Sequence, residues 1–328
     1  MKVSVDWGFG YTKAVSEEGR RVYFPSVITP MSGEDLFPVT TEYEAKIRAN
    51  GEEVYYLAIG SLALHCDGIC AWKDDYFQNR NIVYLLSLAV ALLSDGHPVQ
   101  LTVGLPMKVF YHQKDKVKEM LDGFKAEVTL NSGQRTVNIE EAKILPQAAG
   151  VFYSQLLDMN GNIRDRNLIK QKTGVIDVGF RTTDILAMQK DSRGLLPRKD
   201  LADGMDEGIN NSQRKVREVI SREVKDDVPL EFIEKALAFN GGVLFYKGKN
   251  FDLSEYMEKT NRTLASRIID KVSNVWGKEV DDMRQVIIGG GGGNDLLPYL
   301  REEIPHTVLA DDAFFANAKG FLAATMLR

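Results

Sequence analysis

Residues 5–15, VDWGFGYTKAV, and residues 176–186, IDVGFRTTDIL, are two versions of one segment. Laid together they match at Asp6/Asp177, Gly8/Gly179, Phe9/Phe180 and Thr12/Thr183, with apolar residues at both ends. The copies lie 171 residues apart in a chain of 328, about half its length. That spacing is the footprint of a duplicated fold rather than of a short repeat array. Each copy reads as a strand, a tight glycine turn and a returning strand, and each is followed by a third strand-like stretch.

The chemistry of such hairpins follows from their residue types. A glycine turn lets backbone N–H groups approach an anion, and threonine hydroxyls add donors. The candidates are Gly8, Gly10, Tyr11 and Thr12 in the first turn, and Gly179, Arg181, Thr182 and Thr183 in the second. An aspartate ending a buried strand is a poor core residue but is well placed to hold Mg²⁺ through waters. Asp6 and Asp177 are therefore the metal candidates, and Lys13, in the first copy only, can neutralise phosphate. Two facing hairpins would clamp a polyphosphate from both sides. The bland alternative is a pair of ordinary β-turns, which half-chain duplication disfavours. Arg181 either approaches phosphate or points to solvent.

A third element, QVIIGGGGGNDLLPYL, is a strand, five glycines (Gly289 to Gly293), Asn294 and a helix start. By itself it resembles a dinucleotide-binding turn, with Asp311 or Asp312 further on. A dinucleotide fold needs several βα units after that turn, and too little chain follows. The glycines, with Gly290, Gly291, Gly292 and Asn294 as candidates, instead offer a wall without side chains for a nucleoside. A purely structural glycine loop is the other reading.

Outward from these motifs, the pattern predicts an α/β fold with mixed sheets. A strand over 101–105 leads to a helix over about 112–124, then a hairpin (KAEVTL, NSG, QRTVNI). A separate strand ends near Leu145, and Pro146 opens a helix to about Leu157. Later helices are expected over 206–225, 229–239, 254–276, near 296–303, and over about 314–327. The expected lobes are 1–145 plus 313–328, with an insertion at about 30–75, and 146–312, with an insertion at about 203–259.

Composition restricts function. Hydrophobic residues are 44% and charged residues 27%, with a net charge of −5, so a general nucleic-acid field is absent and no direct nucleic-acid binding is expected. The longest apolar run, 82–93, suits a buried helix and is too short for a membrane span. No secretory signal is evident, and a cytoplasmic location is expected. Cys66 and Cys70 in HCDGIC, even with His65, lack a fourth ligand for zinc, and the four histidines are scattered.

Five motifs in order now resemble the nucleotide site of the actin superfamily, which also includes sugar kinases and the seventy-kilodalton heat-shock chaperones. VDWGFGYTK and GVIDVGFRTTDIL resemble its two phosphate motifs, and VIIGGGGGNDLL its adenosine motif. ILPQAAGVFYS (144–154) and FANAKGFLAA (315–324) resemble its two connecting helices. The D-x-G-x-x-T-x-D form of the second motif (Asp177, Gly179, Thr182, Asp184) and YTKAV followed by FPS (24–26) resemble the prokaryotic branch, especially ParM-type plasmid segregation proteins and archaeal actin-like relatives. Where actin has more glycine in the second turn, this chain has Phe180 and Arg181.

The resemblance implies an actin-like ATPase fold: two duplicated lobes with ribonuclease H-like cores, each a mixed five-stranded sheet with flanking helices. It implies ATP (or GTP)/ADP and Mg²⁺ as cofactors. Asp6 and Asp177 would hold the hydrated ion, Lys13 the β- and γ-phosphates, and Gln147 the attacking water. Lys215 and Glu218 become base and ribose candidates, against the reading of a solvated helix face. It also implies self-association into filaments, with a DNA-bound adaptor as a possible partner. The rivals are a small-molecule (sugar-type) kinase, with a base among Asp200, Asp203 and Asp206, and a non-polymerising regulator. A chaperone would need a further peptide-binding domain.

Overall fold

The computed structural model describes residues 1–31, 43–51, 54–60, 63, 69–70, 80–192 and 194–327. His65 and Cys66 lie outside the described residues, as does much of the expected first insertion.

The chain opens with β1 (Lys2–Trp7), β2 (Tyr11–Ser16) and β3 (Arg21–Pro25), an antiparallel meander. After β4 (Val27–Pro30), β5 (Tyr43–Ala49), β6 (Tyr55–Ile59) and β7 (Ile69–Cys70) comes helix α1 (Arg80–Ser94). This is the apolar run of the sequence, and it is buried along nearly its whole length against β1 and β2. Then follow β8 (Val99–Leu105), α2 (Met107–Leu121), β9 (Lys125–Leu130), β10 (Gly133–Pro146) and α3 (Gln147–Leu156).

β10 corrects the sequence reading of two strands. It is continuous, with its first half antiparallel to β9 and its second half parallel to β8. A bulge between Ile139 and Glu141 lets one strand change partner without a break. The strand thereby joins a ten-stranded sheet, in the order β3-β2-β1-β8-β10-β9-β5-β6-β4-β7, which contains the expected five-stranded unit as β3-β2-β1-β8-β10. Helix α2 likewise begins at Met107, five residues before the expected start, because Pro106 is a ready N-terminal boundary.

After the short α4 (Asn167–Lys170), the second copy supplies β11 (Thr173–Val178), β12 (Thr183–Asp191) and β13 (Gly194–Met205). Helices α5 (Ile209–Val224) and α6 (Leu230–Phe239) lead to the hairpin β14 (Val243–Tyr246) and β15 (Lys249–Asp252). Helix α7 (Ser254–Trp276), β16 (Val286–Gly289), α8 (Gly293–Glu303), β17 (Thr307–Leu309) and α9 (Ala316–Met326) complete the chain.

The second sheet has the order β13-β12-β11-β16-β17, a meander extended by two parallel strands. The strands β3-β2-β1-β8-β10 have the same order and directions. The duplication seen in eleven residues thus extends over two five-strand units. Separate apolar cores fill them, one around Val5, Leu101 and α1, the other around Ile176, Ile288 and α7. The segment from α5 to β15 closes a core of its own with Val216, Ile220, Ile233 and Leu244.

The two connecting helices, α3 and α9, cross at glycines. A Cβ on Gly320 would lie 1.8 Å from the Gly150 carbonyl oxygen, and one on Gly150 would strike Asn317 and Phe321. Backbones this close admit no side chain, and the crossing fixes where both helix N-termini stand.

Candidate functional site

Each hairpin aims an aspartate at the same place. Asp6, near the end of β1, is 2% exposed, and Asp177, near the end of β11, is 5% exposed. The turns are built alike: a Cβ on Gly8 would lie 3.0 Å from the Tyr11 carbonyl, and one on Gly179 3.0 Å from the Thr182 carbonyl. The paired threonines are internal locks. Thr12 shares a hydrogen bond with Ser26 at 3.0 Å, and the Ser26 hydroxyl donates to the Gly8 carbonyl at 2.7 Å. Thr183 donates to the Glu207 carbonyl at 2.7 Å. Both side chains are fully buried and shape their turns from behind.

Around Asp6, Lys13 forms a buried ion pair at 2.8 Å, and the Gln147 amide donates to the other carboxylate oxygen at 3.2 Å. Lys13 also donates to the Phe314 carbonyl at 3.0 Å and stands 4.7 Å from that ring's centroid. Around Asp177, the Asn317 amide donates at 2.7 Å, while the Asn317 oxygen accepts the Val151 N–H at 3.1 Å. The second carboxylate oxygen of Asp177 is buried without a hydrogen-bond partner. Burial pushes the Asp177 carboxyl up to about 6, and Asp6 adds to this; the Asn317 amide and Lys13 pull the other way. Asn317 is absent from the sequence-based site. Its signal is a lone amide in the apolar, small-residue stretch ANAKGFLAA, buried on α9.

The turns touch each other. A Cβ on Gly10 would meet the Phe180 ring at 2.7 Å, and the Arg181 guanidinium lies 5.2 Å from the Phe9 ring centroid. Tyr11 packs edge-on against Phe314, ring centroids 5.6 Å apart. Burial, then the charge of Glu234 on α6, pushes its phenol up. Glu234 is itself pushed up to about 7 by burial, with Glu231 adding and Arg214 opposing.

The glycine stretch packs edge-on to the second hairpin. Gly290 has φ +81°, and a Cβ there would lie 2.2 Å from the Val178 carbonyl and 2.6 Å from Asp177 Oδ1, so only glycine fits. Gly292 N–H donates to the Val178 carbonyl at 3.0 Å. Gly291 and Asn294 are exposed, leaving an open face beside Phe314. Helix α5 docks its first N–H groups on the second turn: Ile209 donates to Gly179 and Asn210 to Phe180. Gly208 permits this approach, since a Cβ would sit 2.6 Å from both carbonyls.

The remaining candidates are engaged in ion pairs of their own. Lys215 and Glu218 pair with each other at 2.7 Å on the exposed face of α5. Asp200, Asp203 and Asp206 are ion-paired with Arg198, Lys271 and Lys108. Among the described residues there is no group of three or more His, Cys, Asp or Glu poised for a metal ion, and no helix long and apolar enough to cross a membrane.

Comparison with known proteins agrees with this geometry. The family described as actin like proteins, N terminal domain, matches residues 4–150. That described as archaeal actin homologue MreB-like, C-terminal, matches residues 175–302. An archaeal actin homolog of Thermoplasma acidophilum is 26% identical over 336 residues, covering 97% of both chains. A solved 15-stranded ParM filament from Clostridium botulinum superposes with TM-score 0.82 at 25% identity, over 98% of this chain and 97% of that one. An archaeal actin homolog in complex with ADP superposes with TM-score 0.78 at 25% identity, over 99% and 98%.

Proposed function

Because the chain belongs to the actin superfamily, close to its prokaryotic ParM-like members, we propose that it binds ATP with Mg²⁺, hydrolyses it slowly and couples nucleotide state to self-association into filaments. The observation behind this reading is the convergence of Asp6, Lys13 and Gln147 with Asp177 and Asn317, brought from both sheets and both connecting helices. The ADP complex of one relative and the filament of another support its two halves.

The residues present suit a hydrated cation. Two buried carboxylates lie near enough for the charge of Asp6 to act on Asp177, whose second oxygen lacks any partner, and magnesium keeps several waters where few protein ligands are offered. Asp6 and Asp177 would hold it. Mg²⁺, when bound, would neutralise charge on the β- and γ-phosphates. Lys13 would exchange its contacts with Asp6 and Phe314 for phosphate oxygens. The backbone of the two turns would cradle the phosphates, and Gly291 and Asn294 would face the nucleoside, with Lys215 and Glu218 at its rim. Gln147 is a neutral amide, so it orients water and does not remove its proton, which makes turnover slow. The lobes 1–145 plus 313–328 and 146–312 would close on the nucleotide. A DNA-bound adaptor would link filaments to cargo within the cytoplasm.

The test is light scattering and phosphate release with Mg²⁺ and ATP, GTP or ADP over a wide range of protein concentration. Scattering that rises with ATP and decays as phosphate appears supports the reading. Hydrolysis without any nucleotide-dependent scattering leaves a non-polymerising ATPase, and rapid transfer to a sugar panel replaces it with a kinase.

A further inference from the structure

Two helices of the first lobe begin side by side at the cleft. β8 and β10 are parallel neighbours with Leu105 in register with Pro146, so α2 and α3 each start one residue beyond a proline at the same edge. Gln147 opens α3, and its stem rests on Gly104: a Cβ there would come within 3.0 Å of Gln147 Cγ. The Gly104 carbonyl in turn accepts the Trp7 indole N–H at 2.6 Å. Residues 104–107 are thus the floor beneath Gln147, and their position decides where its amide stands.

The other lobe holds that floor. The Met107 N–H, at the first turn of α2, donates to Asp184 Oδ1 at 3.2 Å. Asp184 is 2% exposed and lies directly across the second hairpin from Asp177. Gly204, its partner on β13, makes room: a Cβ there would sit 2.6 Å from the Asp184 carboxylate. Nearby, Lys108 pairs with Asp206 at 2.5 Å, an exposed tie that adds little holding power. The Asp184–Met107 bond is the buried one.

We propose that Asp184 is a positioning residue for hydrolysis: by accepting the Met107 N–H across the cleft it fixes residues 104–107, and through them the Gln147 amide. This rests on the reading of Gln147 as the residue that orients water. Asp184 acts here as the acceptor of the Met107 N–H. Asparagine, which keeps Oδ1, should serve in its place, and alanine should not.

The experiment is steady-state phosphate release from Mg·ATP, together with ADP affinity, on the full chain. Asp184→Ala should lower kcat roughly tenfold, as expected for a displaced orienting group, with KM and ADP affinity within about twofold of wild type. Asp184→Asn should stay within about twofold in kcat. Gln147→Ala should be at least as slow as Asp184→Ala, and adding Asp184→Ala to it should cost nothing more, because one residue acts through the other. Met107→Pro deletes the donor at a position that accepts proline and should repeat the loss if Asp184→Ala does not fold. The inference is overturned by a wild-type rate in Asp184→Ala or Met107→Pro, by Asp184→Asn as slow as alanine, or by full additivity with Gln147→Ala. A wild-type rate in Gln147→Ala removes the reading of Gln147 and the inference with it. A slow Gln147→Ala beside a normal Asp184→Ala removes the inference alone.

Discussion

Asp177 works against the fold that holds it. Its carboxyl titrates at about 6 in the folded chain, above the usual carboxylate range. The folded state therefore holds a proton that the unfolded state has lost, and stability falls as pH rises from about 4 to about 6. Asp177→Asn should then raise the melting temperature of the nucleotide-free chain at pH 8, by an amount that shrinks toward pH 4, while abolishing phosphate release. A thermal melt across pH and a phosphate assay check both halves; unchanged turnover would remove Asp177 from the site. Asp6 and Asp177 are legible in the sequence because each precedes its own glycine turn. Asn317 and Asp184 are harder to find, since their meaning lies in partners 140 and 77 residues away.

At the scale of elements, α5 depends on one small residue at its start. Gly208→Ala would press a methyl to 2.6 Å of two turn carbonyls and lift the helix from the second hairpin. ATP and ADP affinity should fall about tenfold or more, a loss of at least about 1.4 kcal/mol; isothermal titration with an unchanged far-UV spectrum is the check. Helix α6 carries a pH-sensitive charge. Glu234 titrates at about 7, so its cost to stability accumulates as pH rises from about 4.5 to 7. Glu234→Gln should raise Tm by roughly 2–4 °C at pH 8, with the gain vanishing toward pH 4.5. Periodicity reveals most helices and the meanders. It divides β10 into two strands because a bulge interrupts the alternation at Ile139/Glu141 while the backbone continues with a new partner.

For the whole molecule, the α3–α9 crossing is the structural joint. Gly320→Ala places a methyl 1.8 Å from the Gly150 oxygen, which only separation of the helices relieves. A loss of about 3 kcal/mol or more is expected, measured by urea unfolding, and hydrolysis should fall too because Asn317 sits on the displaced helix. The crossing is not legible in the sequence, where Gly150 and Gly320 are unremarkable members of two helical stretches. The position of α9 also has a consequence for biosynthesis. Lys13 is held by the Phe314 carbonyl, Ser4 donates to the Ala318 carbonyl and Asp177 takes the Asn317 amide, so residues made early wait for residues made far later. A nascent chain folds from its N-terminal side as it emerges, yet the candidate site is complete only once residues 314–318 have left the ribosome. On the proposed reading, nucleotide therefore cannot guide folding before that stretch has emerged; the two sheets fold first and the site loads afterward.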